Sequence, residues 1–345
     1  MDAAIGILTG GGDCPGLNAA IRAVVRGGLA RGRAVIGIRR GWRGLVERST
    51  VRLDRDSVAG ILPRGGTILG TTGYDPFREG TVEELLQATR ALALEAVVVI
   101  GGEGTLGVAR RLHEERGYPV VGVPKTIDND LAGTDLTIGF DTAVHICTAA
   151  IDRLHTTAES HDRVMVVEVM GRHTGWIAAA SGVAAGADVI LLPEAPTPIE
   201  EACEHIQERH ARGRNFSIVV VAEGYPLTRR SGEQDEPVVQ ALDRYGFPRL
   251  GGIGQVVARE IEDRTGFETR VTVLGHVQRG GTPTARDRFL ATRLGLHAVR
   301  LACEGSWGRM AAVRGDRIGD VSLADATRER RGVPPDWIEA ARVVA

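Results

Sequence analysis

Lysine is almost absent from this sequence: Lys125 is the only one in 345 residues, and arginine serves at every other basic position. A compact ammonium differs from the larger, planar guanidinium in shape and donor geometry, so a lone lysine in an arginine-using chain singles out its position. Aromatics make up only 4% and the formal net charge is −2. Such a charge offers no broad positive field, which argues against a nucleic-acid partner and leaves anion binding to local clusters. Cys14, Cys147, Cys203 and Cys303 are far apart, with no CxxC pair and no histidines grouped beside them. That spacing gives no framework for disulfides or a zinc cage and suits reduced, cytoplasmic thiols. No apolar run approaches ~18 residues. No basic region precedes the first apolar run, so neither a membrane span nor an export signal is expected.

Glycine, by contrast, is abundant at 46 residues, and apolar residues reach 43%. The combination suits tight strand-to-helix turns around a packed core, not a collagenous or disordered chain. Short β-branched runs at Ile5–Thr9, Val35–Ile38, Ala96–Ile100, Val120–Val123, Val164–Val169, Asp188–Leu192, Ile218–Ala222 and Val271–Leu274 read as buried parallel strands. Helical periodicity falls between them over Asn18–Arg31, Leu106–Arg116, Ile199–Arg212, Gly252–Arg264 and Thr284–Cys303. This rhythm predicts an α/β protein of two lobes, each a mostly parallel sheet flanked by helices. The first lobe is expected over 1–139 plus about 278–328, the second over 140–277, and a C-terminal extension over 329–345. A helix is expected around Thr142–Thr156, and Arg229–Pro237 reads as a solvated loop.

The residues with chemistry to offer gather just past the strands, at Gly10–Asp13, Gly101–Thr105, Pro124–Asp130, Met170–Arg172, Glu223–Gly224 and Gly275–Arg279. In open α/β sheets that edge is where ligands bind. Glycines leading into a helix can cradle phosphate with backbone N–H groups, although a glycine run also serves as a plain tight turn. There is no GxxxxGK[ST] string. Glu103 adds a carboxylate at a helix start, able to hold Mg²⁺ or merely to cap the helix, as Thr105 could. In Thr126–Asp130, one carboxylate could take a hydroxyl proton while the other orients a cation or substrate; an Asx-type turn would need the same residues. Arg163, Arg172, Arg270, Arg279 and His276 are cations suited to a sugar phosphate, though any single arginine could equally be a surface ion pair.

Taken in order, the strings TGGGDCPGLNAAIR, GGEGT, PKTIDND, FDTA, SHDRVMVVEVMGRHTGW, AEG and TRVTVLGHVQRGG closely resemble the ATP-dependent 6-phosphofructokinases and their pyrophosphate-dependent relatives, from Ile5 to about Leu296. The resemblance implies the phosphofructokinase fold and transfer of a phosphoryl group from ATP-Mg²⁺ to the 1-hydroxyl of fructose 6-phosphate. It also implies an ATP lobe using Gly11, Gly102, Glu103, Gly104 and Thr105, with Glu103 at the Mg²⁺ position. Asp128 looks like the base, beside Lys125, Thr126 and Asp130. Fructose 6-phosphate would be held by Thr126, Asp128, Arg163, Met170, Gly171, Arg172, Glu223, Arg270, His276 and Arg279. In the family Arg163 and Arg270 reach in from a neighbouring subunit, which implies a homodimer or homotetramer.

Gly73 stands where many bacterial members carry an arginine near the transferring phosphate, leaving Lys125 or Arg78 to replace it. Lys125 leans toward the pyrophosphate-using relatives, whereas Gly104 leans toward ATP, since those relatives carry Asp there. Two further readings stay open: a pyrophosphate-dependent enzyme, and a catalytically weak regulatory paralogue. Kinases acting on NAD or lipids share a GGDGT-like loop but lack PKTIDND and the arginine set.

Overall fold

A computed structural model of the chain describes residues 4–235, 239–242 and 248–343. The chain forms two compact units, one built from the chain through Thr142 with Arg279–Arg330, the other from Ala143–Gln278 with the chain from Arg331 onward.

The first unit carries a seven-stranded sheet in the order Arg317–Ser322, Arg309–Arg314, Val120–Pro124, Leu94–Gly101, Ala4–Thr9, Ala34–Ile38, Thr50–Leu53. The interior pairs are parallel and both edges are antiparallel. Ile5, Ile7, Leu8 and Val97 to Ile100 are buried, as expected of strands covered on both faces. Helix Leu17–Ala30 lies against helix Ala285–Cys303. Gly295 allows that close crossing: a Cβ there would lie 2.9 Å from Ala23 Cβ and 3.0 Å from the Ala20 carbonyl oxygen.

The second unit holds a fully parallel sheet in the order Thr269–Val273, Val164–Val169, Ser217–Ala222, Val189–Leu191, and a short antiparallel ribbon, Val239–Leu242 with Pro248–Leu250. Glu168, in the middle of this sheet and 2% exposed, accepts hydrogen bonds from Gly252 N (3.1 Å) and Gly254 N (2.8 Å) at the start of helix Ile253–Thr265. A buried carboxylate is thus satisfied by orphan amides at the positive end of a helix.

Every parallel strand read from the sequence is present within a residue or two. The antiparallel edges Thr50–Leu53 and Arg317–Ser322, and Arg309–Arg314 next to the latter, were not expected, because they are short and flanked or interrupted by charge. The helix expected around Thr142–Thr156 runs over Phe140–His161. The C-terminal stretch expected as an extension instead packs in the second unit. Its helix Pro335–Val343 lies on helix Trp176–Ala184, with the Trp337 and Trp176 rings edge to face at 5.2 Å. The Arg229–Pro237 loop is described through Asp235, where Arg229 pairs with Asp235 at 3.0 Å; residues 236 and 237 lie outside the described residues.

Candidate functional site

Strands Val120–Pro124, Leu94–Gly101 and Ala4–Thr9 are neighbours, so the loops leaving their carboxyl ends stand side by side. The chain steps from Ala4–Thr9 to Ala34–Ile38 on one side, while Leu94–Gly101 pairs on the other. This change of direction opens a crevice at the carboxyl edge. Gly10 N donates to Ile100 O at 3.0 Å, Gly11 N to Thr72 O at 3.0 Å, and Lys125 N to Gly101 O at 3.0 Å. The loop carrying Gly73 therefore borders the glycine loop directly. Gly11 has φ +75°, a left-handed conformation that glycine adopts without steric cost. Gly10 and Gly101 have a packing reason as well, since a Cβ on either would come within 2.6 Å of the Thr105 side chain. Thr105 is buried between them.

Lys125 is 3% exposed. Its ammonium lies under the glycine loop, donating to Gly10 O at 2.9 Å and also to Gly12 O. Burial pulls its pKa below the ordinary lysine value. A guanidinium is larger and planar, so a compact ammonium suits this buried contact between two carbonyls. Arg279 presses on the same loop from outside: a Cβ on Gly12 would lie 1.9 Å from its Nη1.

Glu103 opens helix Glu103–Arg116 after the Gly102 N-cap, and neither it nor Thr105 caps by a side-chain hydrogen bond. Glu103 Oε2 instead meets Arg330 Nη2 at 2.7 Å. Nothing lies within 4 Å of a Cβ built on Gly104. In the neighbouring loop it is Asn129 that makes the turn. It sits at φ +50°, accepts from Thr137 N at 3.0 Å and donates to Asp135 O at 3.2 Å. Thr126 Oγ1 accepts from Asp128 N at 3.1 Å and so orients the acid. Burial, then the Asp128 and Glu103 charges, push the Asp130 carboxyl up to about 6. Glu103, Asp128 and Asp130 thus share one electrostatic environment. No group of three or more His, Cys, Asp or Glu side chains forms a metal cage among the described residues. Hard oxygen donors at a helix start fit Mg²⁺, which binds one or two carboxylates and completes its shell from water and phosphate. Cys14, at the end of the glycine loop, is no nucleophile: burial pushes its thiol up to about 12.

In the second unit, Met170, Gly171 and Arg172 follow Val164–Val169, Glu223 follows Ser217–Ala222, and His276 follows Thr269–Val273; these three strands are adjacent. Gly224 N bonds Gly171 O at 3.1 Å, and a Cβ on Gly224 would strike Arg172 O at 2.0 Å, so glycine is required for the two loops to meet. Sequence reasoning passed over Gln278. It is fully buried, accepts from Met170 N at 3.1 Å and donates to Gly275 O at 3.1 Å, tying the His276 loop to Met170. A polar residue between apolar strand and charged loop was the available signal. Arg163 and Arg270 are not with this group. They stand at the opposite, amino ends of their strands, and both pair with Glu268, Arg163 at 2.8 Å.

A family model described as phosphofructokinase matches residues 4–302. The chain belongs to the phosphofructokinase family. Relatives within it include a pyrophosphate–fructose 6-phosphate 1-phosphotransferase of Streptomyces coelicolor, 56% identical and covering 97% of both chains. ATP-dependent 6-phosphofructokinase 3 of the same organism is 54% identical and covers 96% of both. Among solved structures, phosphofructokinase from Saccharomyces cerevisiae superposes with TM-score 0.80 at 32% identity over 94% of this chain, which spans only 45% of the yeast chain. The pyrophosphate-dependent phosphofructokinase of Nitrosospira multiformis, at 22% identity and TM-score 0.83, shares the fold.

Proposed function

We propose that this chain transfers the γ-phosphoryl group of ATP to the 1-hydroxyl of fructose 6-phosphate, giving fructose 1,6-bisphosphate and ADP, as a cytoplasmic homodimer or homotetramer. Gly104 carries the choice of donor. With nothing within 4 Å of its missing Cβ, the helix start leaves room for the α-phosphate of a nucleotide. The first unit takes the donor on Gly11, Gly102, Glu103, Gly104 and Thr105. The second takes the sugar phosphate on Met170, Gly171, Arg172, Glu223 and His276.

Asp128 accepts the 1-hydroxyl proton as the oxygen attacks the γ-phosphorus; the bond to the bridging oxygen breaks, and ADP leaves with its electron pair. Burial and the nearby Asp128 charge raise the proton affinity of Asp130. Lys125 holds the glycine loop from beneath by the Gly10 and Gly12 carbonyls, fixing its shape beside the donor phosphates. Glu103 would hold Mg²⁺, which when bound offsets charge on the transferring phosphoryl oxygens.

Arg163 and Arg270 support the oligomer. A strand of about six residues spans ~20 Å, so their guanidiniums stand far from the Met170–His276 edge of their own sheet and serve the site of another copy. Pyrophosphate is the second reading, favoured because the 56% identical relative is a pyrophosphate–fructose 6-phosphate 1-phosphotransferase. A coupled assay with fructose 6-phosphate should show turnover with ATP and little with pyrophosphate. Gly104→Asp should abolish ATP use while leaving the melting temperature unchanged, because the new side chain enters open space. Like charges at contact repel by ~1 kcal/mol even in water, and by more when desolvated. Efficient wild-type use of pyrophosphate would overturn the choice of donor, and binding without turnover on either donor would make the chain a regulatory paralogue.

A further inference from the structure

In the places the sequence suggested for a cation at the donor side, the side chain is either missing or engaged elsewhere. Gly73 has no side chain. Lys125 is buried and donates to the Gly10 and Gly12 carbonyls. Arg78 is exposed and turned to Asp75, 3.6 Å away. One guanidinium nevertheless reaches Glu103. Arg330 pairs with Leu131 in an antiparallel backbone bridge, which fixes its Cα beside the chain that has just passed Asp128 and Asp130. Its Nη2 lies 2.7 Å from Glu103 Oε2, and its charge also bears on Asp130. Backbone pairing holds the base of this residue, while its side chain remains 42% exposed.

We propose that Arg330 is the catalytic cation of the donor site: it neutralises Glu103 while the site is empty, then turns to the transferring phosphoryl group when donor and metal bind. The proposal rests on the phosphoryl-transfer reading above. An ion bound at Glu103 competes directly with the guanidinium for the same carboxylate. Arg330 is thereby released within a side-chain length of where the donor's terminal phosphate must lie to reach Asp128. A guanidinium suits that role, since it offers paired donors to two phosphate oxygens and stays charged at any working pH.

The experiment compares wild type with Arg330→Ala and Arg330→Lys. Steady-state kinetics are run with ATP and with pyrophosphate, and equilibrium binding of a non-hydrolysable ATP analogue with Mg²⁺ is measured without fructose 6-phosphate. Loss of one phosphate-directed donor should lower kcat of Arg330→Ala about 10²–10³-fold. The KM for fructose 6-phosphate should stay within about threefold, analogue affinity should fall about tenfold, and Arg330→Lys should recover part of kcat. Melting curves check that the variants are folded. A folded Arg330→Ala that keeps kcat and analogue affinity within twofold overturns the proposal, as does a loss confined to the sugar-phosphate KM. If wild type turns over with neither donor, the phosphoryl-transfer reading fails by itself, and the analogue-binding comparison still decides whether Arg330 meets the donor.

Discussion

Lys125 and the acids that follow it show how far single residues could be read. The lone lysine marked a position of its own, a buried ammonium donating to the Gly10 and Gly12 carbonyls. The loop and its spacing marked a pair of acids, and the family resemblance singled out Asp128 as the proposed base. Replacing it with Asn keeps the shape but removes the proton acceptor, so turnover should fall about 10²–10⁴-fold. The KM for fructose 6-phosphate should change little in the same initial-rate assays. Asp130 makes a separate, stability-based prediction. Its folded pKa of about 6 lies above the ordinary value of 3.8. The folded state therefore keeps a proton that the unfolded chain releases, and stability falls as pH rises from about 4 to about 6. Above that window the cost of the buried charge is present in full. Asp130→Asn should accordingly raise the melting temperature at pH 8 and give no gain at pH 4; equal shifts at both pH values would contradict the burial argument.

Parallel strands were the most legible elements, because a strand covered on both faces must be apolar along its whole length, as Val164–Val169 nearly is. The exception within it, Glu168, was readable as an anomaly but not as a partner. Its amide donors sit more than eighty residues later, at Gly252 and Gly254. Glu168→Gln keeps the volume but presents an amide N–H₂ where only an acceptor is wanted. We expect ~1–3 kcal/mol of destabilisation in urea unfolding, the usual cost of an unmatched buried polar group, with catalytic constants affected far less. The antiparallel edge Arg317–Ser322 escaped notice for the opposite reason. With one side exposed at Arg317 and Gly319, and Asp320 on the other face, nothing apolar repeats long enough to register.

For the whole molecule, the telling placement is that Arg163 and Arg270 share Glu268 at one edge of the second sheet, while Met170, Arg172, Glu223 and His276 gather at the other. If each site is completed by a second copy, Arg270→Ala and Asp128→Asn damage different halves of a composite site. Each variant alone should be poor at low fructose 6-phosphate. Mixed and reassembled, they should regain part of the wild-type rate, because some sites then combine intact Arg270 from one chain with intact Asp128 from the other. No gain on mixing, with hybrid oligomers demonstrated by mass, would count against shared sites. Arg163→Ala should likewise raise the KM for fructose 6-phosphate and leave that for ATP near its wild-type value, since in the proposed site it binds the phosphate that does not react.

The sequence by itself determined the strand-and-helix order, the glycine loops at the strand ends and the acids of the Thr126–Asp130 loop. Each is a local matter: burial on two faces selects β-branched runs, tight turns select glycine, and a reactive loop keeps its residues contiguous. What tertiary structure alone decided are pairings between residues far apart in the chain. Glu103 meets Arg330 rather than capping its own helix, Gln278 holds Met170, and the C-terminal helix Pro335–Val343 packs on Trp176–Ala184. No periodicity encodes such contacts, because they depend on how the sheet orders its strands and on where the returning chain crosses the loops.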